Sequence, residues 1–587
     1  MKYIAIATLL AVTFNAHAQQ REPLADSLDY RMERQNSASV GDHSPLWLHA
    51  NKYGLSSLKT TNGFWRATIE RPLSRDDSRR WGIGYGLDMA LTGRYTSRFV
   101  VQQAYAEVRW LKGVITVGSK EQPMQLKDQE LSSGSQTLGI NARPVPQVRL
   151  SLPDYWTIPG THHWLAIKGH IAYGKTTDDH WQTEFTQRQY KYTQSTLYHS
   201  KAGYLRIGNA NKIIVSLELG LEMAAQFGGT SYLRQSDGSM KAYHNQGGLK
   251  GMIKALVPGG GDVLETENRN AAGNTLGSWL ARFNFDADEW GFSLYADHFF
   301  EDQSALTHLS PDGYCEGDQW NTQVKRRYNL YAFKDMLWGF ELRIPDQRWM
   351  NKMVFEYLYT KYQSGAMYHD HDQTLSDQIA GLDNYYNHYL YTGWQHWGEV
   401  MGNPLYTSPI YNSDHRIAVE NNRTVACHLG IAGDPSSRLH YRLLATWQKG
   451  FGTYWAPFPD PRHNVSLLAE ASYRLRDGKE RWTRGWTLRG ALAMDSGTLL
   501  GDNYGVQLTL IKNGILKRDN ETADICIDNM YGFGGLRRRD IRQWRPRWLL
   551  ATAPSRYSCH RRHNRHASID DLLGCAKPLD RSALVGE

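Results

Sequence analysis

One pattern narrows the possible folds more than any other: apolar residues alternate strictly with small or polar ones over runs of about ten residues, and the runs recur along the chain. In 82–92, Ile83, Tyr85, Leu87, Met89 and Leu91 share one face, and Gly84, Gly86, Asp88, Ala90 and Thr92 share the other. Trp81 and Tyr95 flank that run, where interfacial aromatic residues belong. In 214–224, Val215, Leu217, Leu219, Leu221 and Met223 oppose Ser216, Glu218, Gly220 and Glu222. Leu165, Ile167, Ile171 and Tyr173 oppose Lys168 and His170, and Met336, Trp338, Phe340, Leu342 and Ile344 oppose Glu341 and Arg343. Strands of soluble sandwiches average ~5–6 residues. The runs here are nearly twice as long, which is the length of a tilted strand crossing a bilayer. Lipid offers backbone groups no partners, so such strands must close on themselves. The expected fold is all-β, a transmembrane antiparallel β-barrel.

The turns agree. A hairpin reads from Gln103 to Gly118 with its turn at Lys112–Gly113, and a second pair, Trp279–Asp286 and Trp290–His298, is joined by Ala287, Asp288 and Glu289, a connection short enough for a periplasmic rim. After residue 18 no run of 18 uncharged apolar residues could form a spanning helix, and a chain with 41% hydrophobic and 21% charged residues is not a helical membrane bundle. At ~27 residues per strand with its share of loop, 19–516 supplies roughly 16–18 strands. The irregular stretches 120–163, 225–275, 302–330, 365–415 and 452–463 would then form surface loops and helical or irregular plug segments. Lys2, the apolar run Ile4–Phe14 and Ala16-His17-Ala18 read as an export signal over 1–18 with its cleavage site. The five cysteines, at 315, 427, 526, 559 and 575, have neither zinc spacing nor an even count.

Several fragments carry a likeness beyond pattern. They are Gly139-Ile140-Asn141-Ala142-Arg143-Pro144-Val145-Pro146, Gly220-Leu221-Glu222 through Gly228-Gly229, Phe299-Phe300-Glu301-Asp302, Glu356-Tyr357, and Gln363-Ser364-Gly365. Gly381-Leu382-Asp383-Asn384-Tyr385-Tyr386-Asn387, Gly402-Asn403-Pro404, Asn421-Asn422-Arg423, Gly452-Thr453-Tyr454 and Gly501-Asp502-Asn503 follow. Over most of 28–516 the chain resembles the capsule assembly Wzi family. The resemblance implies an outer-membrane barrel, partly plugged on the periplasmic side, that binds capsular or other extracellular polysaccharide at the cell surface and takes part in capsule attachment. It implies contact with outer-membrane lipid and lipopolysaccharide, and no nucleic-acid partner; a monomer is expected.

The residues themselves are compatible with that role. Tyr385, Tyr386, His388, Trp394 and Trp397, interleaved with Asp383, Asn384 and Asn387, combine flat rings for sugar C–H surfaces with amides and a carboxylate for hydroxyls. An interfacial girdle with loop packing would use the same residues. Glu218, Glu222, Glu356 and Arg423 suggest a polar network in the lumen. No nucleophile–base constellation, HExxH or Walker A sequence is present, so neither an enzyme nor a cofactor is expected. His369-Asp370-His371-Asp372 is the nearest approach to a metal cluster and reads as solvated loop polarity, so no metal site is expected. A porin-like barrel transporting sugars is the alternative. The pattern stops after Leu516: residues 517–587 hold 12 arginines and 2 lysines against 9 acidic residues, a composition suggesting a frameshifted or disordered extension.

Overall fold

The computed structural model describes residues 27–209, 213–257, 273–301, 312–325, 334–368, 373–374, 378–381, 383–478, 483–516 and 525–526. The expected leader over 1–18, the His369–Asp372 loop and, apart from Ile525–Cys526, the tail after Leu516 lie outside them. Eighteen antiparallel strands close into one barrel. In chain order they are β1 (Leu28–Val40), β2 (Thr61–Arg71), β3 (Trp81–Gly93), β4 (Phe99–Trp110), β5 (Gly113–Ser119), β6 (Gln147–Thr157), β7 (Leu165–Lys175), β8 (Leu197–Ile207) and β9 (Val215–Phe227). Then come β10 (Asn274–Asp286), β11 (Gly291–Glu301), β12 (Met336–Arg343), β13 (Lys352–Tyr359), β14 (Thr424–Ser436), β15 (Leu439–Gly452), β16 (Pro457–Arg474), β17 (Trp486–Gly497) and β18 (Asn503–Leu516). Each strand pairs with its sequence neighbours, and β1 closes the ring on β18 with a continuous register from Leu28↔Leu516 to Val40↔Tyr504. Ile525–Cys526 adds a short pairing to Ile515–Leu516. Among the described residues no helix is long and apolar enough to cross a membrane; the strands do that.

Alternation becomes an apolar exterior. On β3, Ile83, Leu87 and Leu91 are 40%, 45% and 62% exposed, while Gly84, Gly86, Asp88 and Ala90 point inward and are buried. Large apolar side chains facing out and small or polar ones facing in is the inverse of a soluble protein and the rule for an outer-membrane barrel. Aromatic residues mark the edges of that exterior. Near the short-turn rim Trp81 stacks on Trp110 at 5.8 Å, and Phe285 packs on Trp290 at 5.2 Å; towards the other rim Trp338, Tyr357, Trp447 and Tyr504 are exposed.

Connections divide by length between the two ends. Leu111–Lys112 joins β4 to β5, Ser437–Arg438 joins β14 to β15, and the termini of β1 and β18 lie at this same end. The long connections 41–60, 120–146, 176–196, 228–273, 302–335 and 360–423 all leave the opposite, extracellular end. Three stretches read as irregular contain wall strands. β6 lies inside 120–163, its pattern interrupted by Pro153, and the register shift between Leu152 and Trp156 absorbs the missing N–H. β16 starts at Pro457, inside 452–463, and β9 and β10 extend into 225–275, which also holds a short helix, Gly248–Leu256. The first hairpin turns one residue earlier than expected, with Leu111 at φ 56°.

The exterior generates a test. Leu492 is 62% exposed near the middle of β17, so Leu492→Arg would cost almost nothing in water. At the bilayer midplane it should destabilise the barrel by about 2–4 kcal/mol, read as a lower urea midpoint for folding into liposomes. An unchanged midpoint would place this face outside lipid.

Candidate functional site

An eighteen-stranded cylinder is too wide for wall side chains alone to fill. Here three chain segments descend from the extracellular end into the lumen: 41–60, 120–146 and 383–423. They are stitched to one another. Asn51 N donates to Asn141 Oδ1 (3.0 Å), Asn141 Nδ2 to the Val400 carbonyl (3.1 Å) and Asn403 Nδ2 to the Gly134 carbonyl (3.0 Å). At Gly139 a Cβ would sit 2.7 Å from the Gly402 carbonyl oxygen, so glycine is what lets two of these backbones touch.

The segments are also bolted to the wall. Lys127 reaches Asp297 on β11 at 2.7 Å with both groups essentially fully buried. Glu356 on β13 accepts from Ser132 Oγ (2.6 Å), Ser133 N (2.7 Å) and Tyr295 OH (2.6 Å). Asp128 pairs with Lys352 at 2.6 Å and Glu130 with His440 at 2.5 Å. Lys352 opens β13 and His440 stands second on β15, so the 120–146 segment runs from the extracellular end down to the short-turn rim. Between these anchors the lumen is packed: Leu46, Trp47, Leu48, Leu131 and Leu405 of the inserted segments pack against Leu337, Val354, Leu358, Leu444 and Leu468 of the wall.

The glutamates expected in the lumen all point inward. Glu218 pairs with Arg206 at 2.6 Å, Glu222 accepts from Tyr204 OH at 2.6 Å, and Glu356 holds the 120–146 segment. Arg423 does not join them. It stands on the outward face, its guanidinium 4.0 Å from the Tyr454 ring centre and its Nε donating to the Lys361 carbonyl at 3.0 Å.

The aromatic tract is divided between interior and edge. Tyr385, Tyr386 and Trp394, expected at a saccharide surface, are 0%, 1% and 1% exposed and form a core with Phe299, Tyr406 and Val400. Tyr385 OH donates to Asp335 Oδ2 (2.8 Å), and the Tyr386 amide to Glu301 (3.0 Å). Asn384 Oδ1 accepts from Asn387 and Asn422, while Asp383 Oδ1 accepts from the Asn384 amide. Gln363 is fully buried, donates to the Thr360 and Asn422 carbonyls and accepts from Tyr385 N, so it fixes the turn. His388 Nδ1 accepts from the amides of Leu390 and Tyr391, and burial with nearby Lys191 pushes its pKa down to about 3. Trp397 lies at the edge, one ring face covered by Arg143 at 4.2 Å.

An open aromatic patch lies beside this tract, and of its members only Tyr389, within the aromatic crowd at 381–412, stood out in the sequence. Tyr389 is 58% exposed, Lys191 Nζ is bonded to the His388 carbonyl, and Arg416, paired with Asp414 at 3.0 Å, stands 5.5 Å from the Tyr190 ring. Tyr192 stacks on Tyr232 at 4.6 Å in the adjoining three-stranded sheet Tyr192–Gln194, Thr230–Arg234 and Met240–His244. Tyr190 and Arg416 come from connections far apart in sequence, so no local motif could reveal the patch. Among the described residues no group of three or more His, Cys, Asp or Glu is arranged to hold a metal.

Two titratable groups in the inserted segments are shifted by burial in opposite senses. The Thr177 amide donates to His396 Nε2 (3.1 Å), so that nitrogen carries no proton and Nδ1 donates to the Arg143 carbonyl (2.8 Å); burial holds this histidine neutral, its pKa down to about 4. Burial raises Glu399 from 4.5 to about 7, against the opposing hydrogen bonds from Ser408 and Asn141 and the charge of Arg143. A carboxyl raised on folding contributes stability that is complete below its unfolded pKa and is lost as pH rises through 7. Glu399→Gln should therefore match wild type at pH 5 and gain about 2–3 kcal/mol at pH 8, read as a higher melting temperature of the detergent-solubilised barrel. Asp297→Ala should cost about 3–5 kcal/mol by stranding the Lys127 ammonium, checked in the same melts.

No family model matches the chain, and no curated protein matches it. It is similar in structure to Wzi of Escherichia coli, an outer-membrane protein involved in group 1 capsule assembly and a carbohydrate-binding β-barrel: 12% identity, TM-score 0.48, covering 82% of this chain and 84% of that one. It is also similar to OprD of Pseudomonas aeruginosa (10% identity, TM-score 0.40, 84% and 95% covered) and to OccAB4 of Acinetobacter baumannii (7%, 0.38, 84% and 100%).

Proposed function

We propose that this protein is a non-enzymatic outer-membrane barrel that binds capsular or exopolysaccharide at its extracellular mouth and takes part in attaching it to the cell. The observation that carries the reading is the packed lumen. A barrel whose interior holds an apolar core of Leu46, Trp47, Leu131, Leu358 and Leu444, pinned at the short-turn rim by Asp128–Lys352 and Glu130–His440, has spent its bore on rigidity rather than passage. A wide sugar channel would instead keep its inward polar side chains wet. Here Ser293, Asp297, Glu356 and Asn503 are almost completely buried.

What a rigid barrel offers a polymer is its mouth. Tyr190 and Tyr389 supply ring faces, and Asp414 and Arg416 supply polar groups for hydroxyls and ring substituents. Repetition along a polymer lets modest contacts add, because many repeats present the same epitope to many barrels.

The reading is tested in a capsulated host by deleting the gene and measuring polymer on cells and in the medium. Attachment predicts less cell-bound and more released polymer at unchanged total; unchanged retention refutes it. Tyr190→Ala with Tyr389→Ala should weaken polymer binding to the purified barrel roughly tenfold, and the wild-type barrel should show no steady large currents in planar bilayers. Sustained sugar-blocked conductance would put the transport reading first.

A further inference from the structure

The outward face of β13, β14 and β15 is graded by height. At the extracellular rim Lys361, Arg423 and Phe451 form one row, tied by the Phe451 amide to the Arg423 carbonyl (2.9 Å) and by Arg423 Nε to the Lys361 carbonyl (3.0 Å). One row down, about 7 Å lower, Tyr359, Val425 and Lys449 stand side by side. Beneath them Tyr357 and Trp447 flank Cys427, and the next row is Phe355, Leu429 and Ala445. Charge, aromatic and aliphatic layers follow the order of headgroup, interface and hydrocarbon.

The cations are held on rings rather than by acids. Lys361 Nζ and Lys449 Nζ stand 4.5 and 5.6 Å from the same Phe451 ring centre, and Arg423 lies over Tyr454. Among the described residues none of the three forms an ion pair with a carboxylate. Strand parity points them away from lumen and mouth, on the face that continues into the aromatic girdle. That separates them from the polysaccharide patch.

Next to this graded face the outer wall is dented. A concavity of about 870 Å³ crosses β14 to β18 and reaches β1. Small side chains, Ala38, Ala445 and Ala469, lie among the larger Leu443, Leu467 and Leu492 that line it. We propose that this face holds one phosphorylated outer-leaflet glycolipid, with its phosphate on Lys361, Arg423 and Lys449 and acyl chain in the dent. Three cations with no carboxylate partner among the described residues, two of them on the Phe451 ring and the third over Tyr454, match a phosphate group, whose oxygens accept several donors at once. A second copy of this chain, turned about an axis along the membrane normal, would bring two such clusters together and be repelled.

Native mass spectrometry of the full-length barrel in detergent tests this, with bisphosphorylated lipid A and its dephosphorylated analogue as probes. One lipid A should stay bound per wild-type barrel, and the dephosphorylated analogue should bind at least tenfold more weakly. K361Q/R423Q/K449Q should lose the same factor for lipid A and nothing for the analogue, and Ala469→Phe should weaken both lipids equally; unheated gel mobility reports that each variant folds. Equal retention of the two lipids by wild type overturns the proposal, even if the triple variant does not fold. A detergent-resistant dimer that Ala469→Phe disrupts would assign the face to a second copy and equally overturn it.

Discussion

The hydrogen bonds between β1 and β18 are the constraint on which the rest depends. In lipid an unpaired backbone N–H or C=O costs several kcal/mol, so the first strand and the last must meet along their whole length. They do so from Leu28↔Leu516 to Val40↔Tyr504. Closure removes every sheet edge from the hydrocarbon and sorts all side chains into two sets, lipid-facing and inward-facing. The same closure with eighteen strands creates a bore that must hold water or protein. This chain holds protein.

Filling a bore whose walls carry glutamate, aspartate and arginine requires that nearly every buried charge find a partner. The solution is a layered interior: Leu46, Trp47 and Leu131 bury against aliphatic wall positions, and charged pairs such as Lys127–Asp297 surround them. Such pairs add less to stability than their geometry suggests, because desolvation offsets much of the attraction. Their effect is positional, since Asp128 satisfies Lys352 in only one register of the 120–146 segment.

Legibility followed physical cause. Alternation reports which face a residue takes, and β3, β9, β10, β11 and β12 were readable because their patterns are unbroken, as were the inward Glu218, Glu222 and Glu356. β6 was not, because Pro153 and a bulge interrupt its period, and β16 was hidden by the prolines at 457, 459 and 461. Aromatic density at 381–412 signals packing or stacking without saying which, and Tyr385, Tyr386 and Trp394 turn out to pack. Periodicity also says nothing of what fills a lumen: Lys127, Ser132 and Leu131 sit in an aperiodic stretch whose partners are 160 or more residues away. Arg423 belongs to a motif whose asparagines face inward, and only strand parity shows that it faces out.

The path of the segment at 41–60 has a consequence for biogenesis. It is among the earliest parts of the chain to be synthesised, yet it docks on the latest: the Leu46 amide donates to Asp495 of β17, Trp47 to Thr446 of β15, and Gln507 of β18 to the Leu48 carbonyl. Until the final hairpin arrives, the β1 edge and this apolar turn wait together without partners. Seam closure and lumen filling are therefore a single late cooperative event, because neither the seam nor this turn has its partners until β17 and β18 are in place.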